Sequence, residues 1–122
     1  MKRLSKTEGR IRRHARIRAR IFGTAERPRL HVHRSLRGLY AQLIDDAAGK
    51  TIVAVHSKTD TMKHDVSARA GKVAAAYGLG MTLAVKAKDM NITAAVFDRG
   101  GYAYHGRVRA VADGARAGGL IL

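Results

Sequence analysis

Leu30-His31-Val32-His33-Arg34, then Ser35-Leu36-Arg37-Gly38, then Leu39-Tyr40-Ala41-Gln42-Leu43-Ile44 is the stretch whose reading decides the fold. On both sides of the short link, apolar and polar residues alternate with period two, the period of a half-buried strand. Leu30 and Val32 face one way with His31 and His33 opposite; Leu39, Ala41 and Leu43 face one way with Tyr40 and Gln42 opposite. A link that closes on glycine makes the pair a hairpin. Asp45-Asp46-Ala47-Ala48-Gly49-Lys50 reads as a second turn, and Thr51 to Val55 as a third antiparallel strand.

Downstream the period changes. Residues 57–72 carry weak signals and read as a loop running into a helix. Val73, Tyr77, Met81 and Ala84 recur at helical spacing, interrupted by Gly78 and Gly80, each costing about 1 kcal/mol relative to alanine. The many alanines and glycines predict a close approach of this helix to the sheet. Ala94-Ala95-Val96-Phe97 reads as a short buried strand. Val108, Val111, Ala112 and Ala115 mark a final helix, with Arg109, Asp113 and Arg116 outside and Gly118-Gly119 as its stop. The fold class is α+β with an α/β-like element order, β-β-β-α-β-α, the helices covering one sheet face and leaving the other available.

Upstream lies most of the charge. The chain has 122 residues, 24 Lys and Arg against 9 Asp and Glu, a formal charge of +15 and a pI of about 11.3. Residues 1–37 hold 13 basic and 2 acidic residues, so the excess is concentrated in the first third. Arg10 to Arg20, RIRRHARIRAR, contains six arginines and no acid. On a helix turning roughly 100° per residue, Arg12, Arg13, Arg16 and Arg20 share one arc, while Arg10 and Arg18 fall among the apolar residues. Each guanidinium is a planar fork of donors matched to phosphate oxygens, so this stripe can follow a nucleic-acid backbone. A solvated face would normally mix signs. An organellar transit peptide or a membrane-surface helix are the other readings of such a run, and the first is weakened because only Ser5 and Thr7 supply hydroxyls before Gly23. The arm, residues 1–22, is expected to be partly disordered in isolation and to become ordered on its partner. Gly23 to Pro28 connects it to one globular domain, residues 23–122, with Pro28 biasing Arg27 towards an extended backbone.

Other classes find little support. Without cysteine there are no disulfides or thiolate metal sites. No apolar run approaches the roughly eighteen residues that span a bilayer, nor does the N-terminus carry the apolar stretch of a secretory signal, so a soluble cytoplasmic protein is expected. There is no phosphate-cradling loop ending in Lys-Ser/Thr, no His-Glu-x-x-His pair and no nucleophile elbow. His31 and His33 share a strand face and are a possible metal pair, yet no third ligand lies nearby in sequence. Asp45 and Asp46 read as turn chemistry rather than a metal-binding pair. No catalytic residue, metal site or cofactor is predicted. A nuclease or RNA-modifying enzyme would need a constellation that cannot be assembled here.

Phe97-Asp98-Arg99-Gly100-Gly101-Tyr102-Ala103-Tyr104-His105-Gly106-Arg107-Val108 is the second informative stretch. It leaves a buried strand, turns through two glycines and offers two tyrosines, a histidine and two arginines. Glycines let a backbone approach phosphate, aromatic rings stack on unpaired bases, and arginine does both. Packing of either tyrosine back onto the domain is the alternative.

This run, with ERPRLHVHRS at Glu26 to Ser35 and LYAQLIDDAAGKT at Leu39 to Thr51, resembles the bacterial ribosomal large-subunit protein eighteen family, the 5S rRNA-binding family. The similarity covers nearly the whole chain in order. It implies a mixed four-stranded sheet with helices packed against it and a structural role in the large subunit, attaching 5S rRNA to the large-subunit rRNA in the central protuberance. The implied partners are 5S rRNA, large-subunit rRNA and neighbouring large-subunit proteins including protein five, with no membrane and no small-molecule substrate. The implied rRNA contacts are Arg10, Arg12, Arg13, Arg16, Arg18 and Arg20 in the arm; Arg27, Arg29, Arg34, Ser35 and Arg37 around the hairpin; Tyr40 and Gln42 on the open sheet face; and Arg99, Gly100, Gly101, Tyr102, Tyr104, His105 and Arg107 in the second loop. His33 stands where that family more often has an aromatic or aliphatic residue, and residues 57–72 match poorly. A sequence-indifferent basic nucleic-acid-packaging protein is the alternative function.

Overall fold

The computed structural model describes residues 5–35, 38–58, 71–99, 102 and 106–122. Three strands follow one another as meandering neighbours: β1 (Arg29–Ser35), β2 (Gly38–Asp45) and β3 (Lys50–His56). β1 and β2 pair antiparallel with Leu30 opposite Leu43, Val32 opposite Ala41 and His33 opposite Tyr40, so the apolar set of each strand falls on one face. The tip residues Leu36 and Arg37 lie outside the described residues. β2 and β3 are also antiparallel, with a register shift at Leu43/Ile44. The Asp45 carboxylate accepts from the backbone N–H groups of Ala47 and Ala48, as an aspartate does in a turn.

Helix α2 (Gly71–Asp89) then crosses over to β4 (Val96–Asp98), which pairs parallel with β1, giving the sheet order β3-β2-β1-β4. The sheet is therefore mixed, and α3 (Gly106–Ala117) closes the chain against α2. Leu30, Val32, Leu39, Ala41, Leu43, Val53 and Val55 from the sheet meet Leu79, Leu83 and Ala87 of α2 and Val108, Val111 and Ala115 of α3 in one core. α2 is buried on more than one side, so its buried set runs wider than the anticipated stripe, and Val73 at its start is exposed. Helices α2 and α3 stop in the same way. Asn91 and Gly119 adopt positive φ, and the N–H groups of Ile92 and Leu120 return to the carbonyls of Ala87 and Ala115. In each case the residue after the turn is apolar and buried.

The close approach expected between α2 and the sheet occurs instead between α2 and α3. A methyl group at Gly80 would collide with the carbonyl oxygen of Val111, and one at Gly114 with that of Tyr77. Two helices whose backbones touch in this way need glycine at the contact. A methyl group at Gly78 would meet nothing within 4 Å, so no close approach there requires glycine and offsets its intrinsic helix penalty.

The remaining helix, α1 (Lys6–Arg18), is capped by Ser5, whose hydroxyl accepts from the N–H of Glu8. It has no buried residue. What positions it is polar. Arg29 is buried and binds Asp46 through two nitrogens, Nε to Oδ2 at 3.1 Å and Nη2 to Oδ1 at 3.2 Å, while its Nη1 donates to Asp98 Oδ2 at 2.7 Å. Asp46 also accepts from the backbone N–H of Gly23 at 2.8 Å and meets the Arg18 guanidinium at 3.4 Å. Asp98 meets His14 Nε2 at 3.3 Å. Gly23 passes so close to the backbone of Arg29 and Ile44 that no side chain fits there. Asp46 is thus more than turn chemistry: it holds the connector and the end of α1 to the sheet.

Burial opposes the Arg29 charge, but its hydrogen bonds to Asp46 and Asp98 outweigh that and hold its pKa above the ordinary value. The hydrogen bond from Arg29, foremost, holds the Asp46 carboxyl below its usual range. A carboxylate with a depressed folded-state pKa stabilises fully above its unfolded value and loses that contribution as pH falls through the folded one. Urea unfolding across the acid range should therefore show Asp46→Asn about 2–4 kcal/mol less stable at neutral pH. Its stability should also fall less steeply with acid than the parent's; an equal acid slope would remove Asp46 from the stabilising set. In the same assay Gly114→Ala should destabilise by about 1–3 kcal/mol, because the helices must part. Gly78→Ala should stabilise by about 0.5–1 kcal/mol.

Candidate nucleic-acid interface

On α1 the stripe behaves as its periodicity requires. Arg12, Arg13, Arg16 and Arg20 all project to solvent, whereas Arg10 and Arg18 are half-buried. Arg18 is drawn inward, donating to the Ile21 carbonyl at 2.7 Å besides meeting Asp46. Arg13, Arg16 and Arg20 line a shallow cleft of about 530 Å³ together with Ile17, Ala19 and Arg99. The arm and the loop after β4, distant in sequence, therefore make one basic surface.

Arg99 reaches that cleft while its Nη1 donates to the Tyr102 carbonyl at 3.1 Å, closing the loop on itself. The sequence pattern places Tyr102 among the exposed stacking residues, and the structure corrects this. Tyr102 is only 8% exposed, its hydroxyl donates to the Arg34 carbonyl at 3.1 Å, and the guanidiniums of Arg10 and Arg34 lie over its ring at 5.2 and 5.0 Å. A ring held between two guanidiniums is stabilised by its quadrupole, so Tyr102 orients arginines rather than offering a face to a base. Gly100, Gly101, Tyr104 and His105 lie outside the described residues.

Arg29 is turned inward as well. Its guanidinium is occupied by two carboxylates inside the structure, so it holds the surface together from beneath. Arg27 and Arg34 are exposed, while Ser35 is half-buried and donates to the Gly38 carbonyl across the hairpin.

The second sheet face is not wholly open, as the alternation alone suggests. α1 crosses it at the β1–β4 side, where the His14 ring lies nearly parallel to His31 at 5.6 Å between centroids. Burial, the largest influence, pushes the His31 imidazole below its usual pKa, with the nearby Asp98 opposing it. The β2–β3 side carries an aromatic row in which Tyr40, 37% exposed, sits 6.2 Å from the His33 ring and 4.1 Å from His56. The register explains the row, since Tyr40 is the cross-strand partner of both histidines. Gln42 is half-buried beside Tyr40.

A second basic hollow, of about 330 Å³, opens where the β1–β2 hairpin meets the start of α2 and α3. Among the described residues Ser35, Gly38, Lys58, Lys72 and Arg107 line it, and none of the described lining residues is acidic. Lys58 and Lys72 escape a reading of the sequence because they lie within residues 57–72, the segment with the weakest pattern. His14, Asp46 and Asp98 escape it because each acts through a partner 17 to 84 residues away. The one signal for the two aspartates is that acids are few in so basic a chain, and a buried one needs a hydrogen-bonded or charged partner.

Among the described residues no helix is long and apolar enough to cross a membrane. The family described as ribosomal L18 of archaea, bacteria, mitochondria and chloroplast matches residues 4–122. The large ribosomal subunit protein uL18 of Bifidobacterium animalis subsp. lactis is 59% identical over 111 residues, covering 91% of this chain and 88% of that protein. The proteins of the same name from Lysinibacillus sphaericus and Caldicellulosiruptor saccharolyticus are 53% identical over 115 residues and 50% over 119. These two alignments cover 94% and 98% of this chain, and 93% and 95% of those proteins. With a match running from the arginine arm to the last residue, the chain belongs to the ribosomal L18 family, as a structural component of the large ribosomal subunit.

Proposed function

We propose that this chain binds 5S rRNA and helps attach it to the large-subunit rRNA in the central protuberance, beside protein five, as a scaffold without catalytic chemistry. The observation that carries the RNA-binding part is the basic cleft in which α1 and Arg99 converge. Guanidiniums drawn from two elements present several phosphate-binding forks on one surface, which suits recognition of a folded RNA by shape. The naming of 5S rRNA rests on the family resemblance. The arm, residues 1–22, supplies affinity by releasing counterions, and the domain, residues 23–122, supplies selectivity through Tyr40, Gln42, Arg99 and Arg107. Arg34 and Arg10 act with Tyr102 behind them, and the outward Arg12, Arg13, Arg16, Arg20 and Arg27 contact phosphate. Gly100, Gly101, Tyr104 and His105 of the second loop, with Arg37 at the hairpin tip, belong to the same proposal on sequence grounds.

Competitive binding to 5S rRNA, tRNA of similar length and duplex DNA, at near-physiological salt with magnesium, tests the assignment. A preference for 5S rRNA of about a hundredfold, or 2.7 kcal/mol, is expected; equal binding to all three would favour sequence-indifferent nucleic-acid packaging. Substituting Arg12, Arg13, Arg16 and Arg20 by glutamine should weaken binding to every RNA. The slope of log affinity against log salt should then flatten by roughly 0.7–0.9 for each phosphate no longer neutralised. Tyr40→Ala should weaken 5S rRNA binding by about 1–3 kcal/mol while leaving tRNA binding nearly unchanged. If both changes gave the same loss on every RNA, the division between arm and domain would be wrong.

A further inference from the structure

Three ligand-type side chains from three elements converge under α1. His14 comes from α1, His31 from β1 and Asp98 from the end of β4, and their ligand atoms all lie within 4.8 Å of one another. The tertiary structure thus brings His31 together not with His33 but with a carboxylate from β4 and an imidazole from the arm. We propose that His14, His31 and Asp98 form a binding site for a divalent transition-metal ion of the zinc class, which would fasten the arginine helix to the sheet.

The donor set selects the ion. Two imidazoles and one carboxylate suit zinc, nickel or copper, whereas magnesium and calcium prefer oxygen donors alone. Bonds of zinc to nitrogen and oxygen near 2.0–2.2 Å place tetrahedral ligand atoms about 3.3 Å apart. His14 Nε2 and Asp98 Oδ2 are 3.3 Å apart already; for both imidazoles to aim a nitrogen at one ion, the nearly parallel rings of His14 and His31 must turn out of their stack, bringing ligand atoms now up to 4.8 Å apart closer together. His14 and His31 are only half-buried, so water can fill the fourth position, while Asp98 is fully buried and held in place.

The Arg29 contact at Asp98 Oδ2 does not exclude the ion. A carboxylate offers two oxygens with about four lone-pair directions, and a donor that fixes the orientation of a ligand is the usual outer partner of a metal site. Its positive charge lowers the affinity, which fits a site that fastens a helix rather than one the fold depends on. α1 buries no residue and is held by His14, Arg10 and Arg18, so one more bond at His14 bears directly on its placement.

The test is calorimetric titration of zinc chloride into the full chain after treatment with a chelator, repeated with cobalt(II) chloride as a spectroscopic probe. One zinc ion should bind per chain, and cobalt should show the visible absorption of a low-coordinate nitrogen and oxygen site. His14→Ala should weaken binding by more than about tenfold; zinc should raise the parent's urea midpoint and leave that of this variant unmoved, which separates loss of the ion from loss of the His14–Asp98 contact. His31→Ala should weaken it likewise, and His33→Ala should leave it unchanged. Absence of saturable binding, or binding of equal strength in the His14→Ala protein, would overturn the proposal.

Discussion

Arg29 lies between two carboxylates, and most of the structure's geometry depends on that contact. It begins the strand that is central to the pairing, with Asp46 just beyond the end of β2 on one side and Asp98 at the end of β4 on the other. A buried charge is tolerated only when it is paired and hydrogen-bonded. Here one planar guanidinium provides enough donors in fixed directions to serve both acids, which a lysine ammonium would not do. The two carboxylates then have capacity left for Gly23, Arg18 and His14. One ion-pair network therefore joins three strands, the connector and the N-terminal helix.

That network also sorts the arginines. Those that meet Asp46 or Asp98 are drawn inward and become structural, while Arg12, Arg16 and Arg20 remain at the surface. Tyr102 does for the second loop what Asp46 does for the connector, collecting Arg10 and Arg34 around one buried ring. The result is a surface whose charge is supported from below by satisfied groups, so the outward guanidiniums need not be neutralised by their own chain.

The opposite layer is built by close contact rather than by charge. Gly80 and Gly114 let α2 and α3 touch backbone to backbone, which keeps both helices on the apolar sheet face. The polar face is then left to α1 and to the aromatic row centred on Tyr40. Neither surface could be assigned until it was known that α1 covers only the β1–β4 side.

The element order, the facing of the hairpin residues and the arginine stripe were legible in the chain because each depends on spacing within a few residues. Leu30 and Val32, Tyr40 and Gln42, and Arg12, Arg13, Arg16 and Arg20 all lie on the faces their periodicity assigns. The family was legible as well, from FDRGGYAYHGRV and the hairpin segments. Only the tertiary structure decided that Arg29 and Tyr102 turn inward, that Asp46 and Asp98 meet arginines, and that His14 lies over His31. These contacts join residues far apart in sequence, and burial of a charge or an aromatic ring is determined by which partner the fold brings to it, a property no local pattern encodes.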